Sequence, residues 1–301
     1  MISLPQKRVT LANGIELDVV DEGPRDAPAL IFLHGFPESH RTWRNQIAHF
    51  SDRFRCIAPD QRGYRDSSKP KEVADYTPDK LIGDVFQLAD ALGVEDFTII
   101  GHDWGGAIAW GVALSGQHKR VTRAIIANAP HPTIYSKLLY TDPEQRAAGQ
   151  YMRHYRDTSR DVEIREKGLT AFIDGTAAAD DVLPADDPEE CEIILADWSD
   201  GDAAIAMLNW YRATPLAVPP SDAPYEIPEG AQLPKVSPLT IPTLVIWAMK
   251  DHALTSGNIE GLDEHITDLT LMKIPDCGHF VTWGAPEKFN TAMDEFLMQT
   301  R

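Results

Sequence analysis

The stretch Gly101-His102-Asp103-Trp104-Gly105-Gly106 constrains this 301-residue chain more than any other. The run Asp96-Phe97-Thr98-Ile99-Ile100 before it is β-branched and aromatic and predicts a buried strand. The segment Ala107-Ile108-Ala109-Trp110-Gly111-Val112-Ala113-Leu114 after it predicts a helix that buries a broad apolar face. Glycines at 101, 105 and 106 then flank a sharp strand-to-helix turn, where a strained, exposed nucleophile can sit. The spacing is that of G-x-S-x-G, with a carboxylate at its centre. A serine that attacks saturated carbon yields an ether, which hydrolysis would not reopen. An aspartate yields an ester whose carbonyl belongs to the protein, and activated water opens it. Asp103 therefore points to displacement at an sp³ carbon bearing a strained ring oxygen or a halide. The competing reading, a polar residue at a helix N-terminus, is outweighed by the double glycine and the hydrophobic strand.

A chain of this length suits one large α/β domain or a core with an insertion. Its 43% hydrophobic and 25% charged residues are those of a globular enzyme. The net charge of −18 argues against nucleic acid or an anionic membrane as partner, and mildly against strongly anionic substrates. No run of about 18 apolar residues predicts a membrane span, and Met1–Arg8 lacks the apolar core of a signal peptide. Cys56, Cys191 and Cys277 are too few and too scattered for a zinc site or C-x-x-C pair; they predict free thiols in a reducing, cytoplasmic setting.

Strand and helix signals alternate along the first part. Arg8–Ala12 and Ile15–Val20, separated by Asn13-Gly14, predict a hairpin. Ala29–Leu33 predicts a buried strand running into the turn His34-Gly35-Phe36-Pro37, and Arg55–Pro59 another, before the polar loop 60–68. Thr77-Pro78 opens a helix to about Leu92, with threonine as cap and proline in the first turn. Val121–Ala129 is the next strand, and the alternation predicts a mostly parallel, doubly wound sheet. Beyond Pro130 the pattern turns helical, ending in a proline-punctuated stretch to Pro234. Strands resume at Thr243–Ala248 and Leu269–Ile274. The expected organisation is an α/β core in two parts, 1–130 and 236–301, split by a helical cap, 131–235, lying over the catalytic edge.

A nucleophilic carboxylate needs a base for the water that follows, and the base needs an orienting acid. The expected chain order is nucleophile, acid, histidine. Asp251, beyond a strand, and His279, after the next one, fit it, with His279 as base and Asp251 as its partner. His252 competes with His279 but is too close to Asp251 in sequence to serve that carboxylate. Two amides are candidates for the oxyanion hole: that of Trp104, which follows the nucleophile, and that of Phe36, in the early turn. Pro37 is a candidate for a cis bond. His34, which precedes the turn, is expected to be structural, and His102 alone is no ligand signal.

The motifs His34-Gly35-Phe36-Pro37-Glu38, Asp60-Gln61-Arg62-Gly63-Tyr64, Gly101–Gly106, Leu208-Asn209-Trp210-Tyr211-Arg212 and Asp276-Cys277-Gly278-His279-Phe280 resemble, across essentially the whole chain, those of α/β-hydrolase-fold epoxide hydrolases. Haloalkane and haloacetate dehalogenases share the core and the aspartate. The former typically carry asparagine where this chain has Phe36, and fluoroacetate-type enzymes carry arginines after the nucleophile where it has Trp104 and Gly105-Gly106-Ala107. A tryptophan after the nucleophile also occurs in haloalkane dehalogenases, which keeps that alternative open. The resemblance implies a small hydrophobic epoxide, or an organohalide, and water as substrates. It also implies a pair of cap tyrosines that donate to the ring oxygen. Tyr211 matches the second of these. For the first, Tyr155 is the leading candidate, followed by His154, because some bacterial relatives use histidine there, and Tyr151 one turn earlier. No metal or organic cofactor is implied, since no H-E-x-x-H, P-loop or dinucleotide fingerprint is present. A non-catalytic ligand-binding protein on the same fold is a third reading, and the complete set of nucleophile, base and acid argues against it.

Overall fold

Strands whose every residue is buried dictate a sheet covered on both faces. A computed structural model describes residues 4–117, 119–173, 182–184 and 187–300. Among them eight strands, β1 (Gln6–Thr10), β2 (Glu16–Glu22), β3 (Ala29–Leu33), β4 (Arg55–Pro59), β5 (Phe97–His102), β6 (Val121–Ala127), β7 (Thr243–Ala248) and β8 (Leu269–Ile274), form one sheet in the order β1-β2-β4-β3-β5-β6-β7-β8. Strands β3, β4, β5 and β7 are buried throughout. β1 and β2 are an antiparallel hairpin, β2 pairs antiparallel with β4, and all later pairings are parallel.

Helices α1 (Arg44–Phe50), α2 (Pro78–Ala91) and α3 (Asp103–Leu114) follow β3, β4 and β5, while α11 (Val281–Gly284) and α12 (Pro286–Gln299) close the chain. Alternate residues of each strand feed two apolar clusters: Ile31 and Ile99 pack with α2 and α3, Leu30 and Ile100 with α1 and α12. Thr77 stands at the N-cap of α2 but makes no side-chain capping bond, so Pro78 in the first turn is the helix-start signal that holds.

Between β6 and β7 the described residues contain only helices: α4 (Pro132–Thr141), α5 (Pro143–Ala148), α6 (Tyr151–Arg156), α7 (Asp161–Lys167), α8 (Thr170–Ile173), α9 (Pro188–Trp198) and α10 (Gly201–Ala213). Two tryptophans fasten this insertion to the core by donating to backbone carbonyls, Trp198 to Pro37 at 2.8 Å and Trp210 to Arg62 at 3.0 Å. A buried Arg41–Glu190 pair at 2.5 Å and an Arg65–Asp197 pair join the same two parts. No helix among the described residues is long and apolar enough to cross a membrane. Strand order reverses between β3 and β5, whose neighbours lead off in opposite directions. The crevice beyond the carboxyl ends of those two strands is where this architecture places ligands.

Candidate active site

Asp103 is the first residue of α3, at the end of β5, and holds a left-handed backbone with φ of +49°. For a residue with a side chain that conformation costs of order 1–3 kcal/mol and persists only where its surroundings impose it. Close packing imposes it here. A Cβ on Gly105 would overlap the carbonyl oxygens of Leu33 and His34, and one on Gly101 would overlap Gly105. The helix therefore starts against the end of β3, and the Asp103 carboxylate faces the turn that follows that strand. The Phe36 amide donates to Asp103 Oδ1 at 2.7 Å, and the Phe36–Pro37 bond is cis. Trp104 is the second residue of α3, where backbone N–H groups have no intrahelical acceptor.

The other carboxylate oxygen, Oδ2, lies 3.5 Å from His279 Nε2, and His279 Nδ1 lies 2.6 Å from Asp251 Oδ2. Asp251 is 8% exposed in the turn after β7 and accepts from the amides of Ala253 and Leu254 at 2.8 and 2.9 Å. Asn128 donates to it at 2.7 Å. Burial pushes the Asp251 carboxyl up, but His279, the Leu254 amide and Asn128 outweigh this and hold it below the usual range. Burial likewise disfavours a charged His279, yet the carboxylates of Asp251 and Asp103 raise its pKa well above the ordinary histidine value. The two carboxylates thus favour the charged form of the ring in the resting protein. His252 is exposed.

Sequence reasoning missed two supports. Asn128 was read as ordinary strand, but β6 stops at Ala127, and Asn128 has a left-handed φ of +38°. Its amide group bridges the Ala248 N–H, at 2.9 Å, and Asp251. An asparagine just past a strand end is a signal for that backbone. The second support is Glu38 with His102, which lie within motifs read for their neighbours. Glu38 accepts from the Gly35 amide at 2.8 Å and Thr42 Oγ1 at 2.6 Å, and His102 Nδ1 lies 2.7 Å from it. His102 Nε2 is 2.9 Å from the carbonyl of His279. Burial pushes Glu38 up, and His102, Thr42 and the Gly35 amide together pull it below its usual value. The pair ties the β3 turn, the β5 end and the His279 loop together. His34, fully buried, accepts from the Gln61 amide at 3.0 Å and is structural, as expected.

On the insertion side, Tyr211 of α10 is 2% exposed, with its ring edge-on to Phe36 and Trp104 at centroid distances of 5.2 and 5.0 Å. A cavity of about 580 Å³ reaches Asp103 and Trp104, and Tyr151, the first residue of α6, lines it. Burial raises both phenols well above the ordinary tyrosine value, helped by the charge of Asp103 and by neighbouring phenols: Tyr135 and Tyr155 for Tyr151, and Tyr151, Tyr155 and Tyr64 for Tyr211. His154 is exposed and stacks flat on Phe172 at 4.6 Å, turned outward. Tyr155 is buried among the rings of Phe36, Phe172 and Tyr211, and, like Tyr211 itself, is not among the described residues that line the cavity. Tyr151, the third candidate, is the one of the three that lines the cavity, and its ring lies 6.1 Å from that of Tyr211, against 5.0 Å for Tyr155.

A model of the alpha/beta hydrolase fold matches residues 28–286. A solved structure described among novel epoxide hydrolases of the alpha/beta hydrolases superfamily, from metagenomes of hot environments, is 64% identical. The match covers 98% of this chain and 99% of that one, with a TM-score of 0.95. The AB hydrolase superfamily protein YfhM of Bacillus subtilis is 31% identical over 95% of each chain. Epoxide hydrolase 1 of Caenorhabditis elegans is 29% identical over 94% of this chain and 68% of its own length.

Proposed function

Since this chain belongs to the alpha/beta hydrolase fold family, we propose that it hydrolyses epoxides to vicinal diols through an ester on Asp103. One observation carries the reading: a carboxylate on the strand-to-helix turn stands 3.5 Å from a histidine bound to a second carboxylate, with the buried Tyr211 and the half-buried Tyr151 on the insertion side.

In the first step Asp103 Oδ2, the oxygen not held by Phe36, attacks an oxirane carbon, and the ring C–O bond breaks. Tyr211 and Tyr151 donate to the departing oxygen, one giving its proton. Their raised pKa values keep both phenols protonated at neutral pH. Oδ1 then becomes the ester carbonyl oxygen, already 2.7 Å from the Phe36 amide. Alkylation also removes one of the two negative charges that favour a protonated His279, so the ring gives that proton to solvent to become the neutral base and takes it back from solvent once the Asp103 carboxylate is free again.

In the second step His279 takes a proton from water, whose oxygen bonds to the Asp103 carbonyl carbon. The amides of Phe36 and Trp104 stabilise the oxyanion on Oδ1. The ester C–O bond to the diol breaks, the diol oxygen recovers the proton from His279, and the water's second proton returns to the tyrosine through solvent. The helices from α4 to α10 act as the cap over this chemistry.

Incubation with styrene oxide and with short alkyl bromides, followed by diol and bromide assays, tests the reading. Diol without bromide is expected. Bromide release without diol would replace it with dehalogenation. His279→Gln should stall after alkylation, leaving a mass increase on the peptide that carries Asp103; an inactive variant without that increase would contradict the role given to His279.

A further inference from the structure

Helix α3 is packed by protein along most of its surface, yet Asp103, Trp104, Ala107, Gly111 and Leu114 are only partly buried. At one, four, eight and eleven residues beyond Asp103, the last four continue one stripe down the helix. A helix stripe that faces water is normally polar. This one is wholly apolar beyond the nucleophile, and it forms the floor of the 580 Å³ cavity that reaches Asp103. Ile82 of α2 packs against its middle, where a Cβ on Gly111 would overlap Ile82 Cδ1, so the glycine lets α2 approach and Ile82 forms the side wall of the cavity there. Among the described lining residues there is no Lys, Arg or His to receive an anion, and Asp103 is the only carboxylate.

We infer that the stripe is a track for an unbranched, uncharged alkyl tail, which makes terminal epoxides with long alkyl chains the preferred substrates of this site; the inference rests on the epoxide reading above. The eleven steps from Asp103 to Leu114 span about 16 Å at about 1.5 Å each. An extended chain with C–C bonds of about 1.5 Å advances about 1.3 Å per carbon, so the track accommodates roughly twelve carbons. Apolar surface left in a cavity gains free energy only when something apolar covers it, and each methylene so covered is worth up to about fourfold in binding.

The test is kcat/KM across the terminal epoxides of butene, octene, dodecene and hexadecene, with the corresponding vicinal diols as competitive inhibitors of styrene oxide hydrolysis. Affinity and kcat/KM should rise at least about tenfold from butene to octene oxide and level off near dodecene oxide. An epoxide of dodecene length ending in a carboxylate should be the poorer substrate. Ala107→Leu, Gly111→Leu and Leu114→Trp fill the track at successively greater distances. Each should lower the ratio of dodecene to butene oxide turnover, with the plateau moved to the shortest chain by Ala107→Leu and least by Leu114→Trp. Ile82→Trp blocks it from the side wall, should Gly111→Leu fail to fold. Butene and styrene oxides hydrolysed with no dependence on chain length would overturn the track while leaving the epoxide reading intact. Failure of every epoxide to react and of every diol to bind would overturn both.

Discussion

At the strand ends Asp251 is fixed by four polar partners, Asn128, His279 and the amides of Ala253 and Leu254. Across the cleft, Tyr211 is surrounded by rings, those of Phe36, Trp104, Tyr151 and Tyr155. The difference is one of tolerance. A hydrogen-bonded carboxylate accepts few replacements and leaves a specific residue at a specific point of the chain. An aromatic cluster is held by area and shape, and several neighbouring aromatics can fill the same role in packing. On the proposed reading the sheet side therefore makes the bond to carbon, and the insertion side supplies the donors to the departing oxygen.

The largest expected effect lies on the sheet side. Asp251→Asn should slow ester hydrolysis by about 10³–10⁴-fold, because the amide misdirects the His279 ring. Asp103 should still alkylate in a pre-steady-state burst. A variant with normal steady-state turnover would dissolve the distinction between the two sides. On the insertion side, Tyr211→Phe and Tyr151→Phe should each lower the alkylation rate by about 10²-fold, the usual worth of one positioned proton donor. Tyr155→Phe and His154→Ala should change it little. Equal losses at Tyr151 and Tyr155 would show that the aromatic cluster acts as one unit.

A smaller effect is expected at the seam. Burial raises the Asp197 carboxyl to about 6 against the opposing charge of Arg65. Its folded-state pKa thus exceeds the unfolded value of about 3.9, so the folded state binds the proton more tightly. Stability from this group is gained as pH falls through about 6 toward 4 and is lacking above that window. Asp197→Asn should therefore melt no lower than the parent at pH 8, and about 2–4 °C higher for each kcal/mol of relieved burial. The advantage should vanish near pH 4. A variant several degrees less stable at pH 8 would mean that the Arg65–Asp197 pair is a net clamp between insertion and core.

Legibility followed the same division. Strands β3, β5 and β7 stood out because parallel strands buried on both faces read as continuous apolar runs, and Asp103 and Asp251 stood out because each follows such a run; the edge strand β8, with Thr270 and Lys273, is less regular, and His279 stood out by chain order after Asp251. Their roles rest on the proposal above, but their convergence is a property of the fold. The Glu38–His102 pair was overlooked because neither residue touches the reacting atoms. The sequence does not separate Tyr151, His154 and Tyr155, because they lie within a six-residue helix, too short for periodicity to fix its rotation. Helices α1 and α12 drew no expectation at all. Their apolar residues, such as Ile47, Phe50 and Phe289, acquire meaning only once the far face of the sheet is known to need cover.

The covalent role of Asp103 is the claim on which the rest depends. A single turnover in ¹⁸O-water, with enzyme in excess over styrene oxide, tests it most directly. The account requires ¹⁸O in the Asp103 carboxylate and an unlabelled first-turnover diol. Label in that diol, with none in Asp103, would mean that water attacks the epoxide itself and would contradict the ester mechanism.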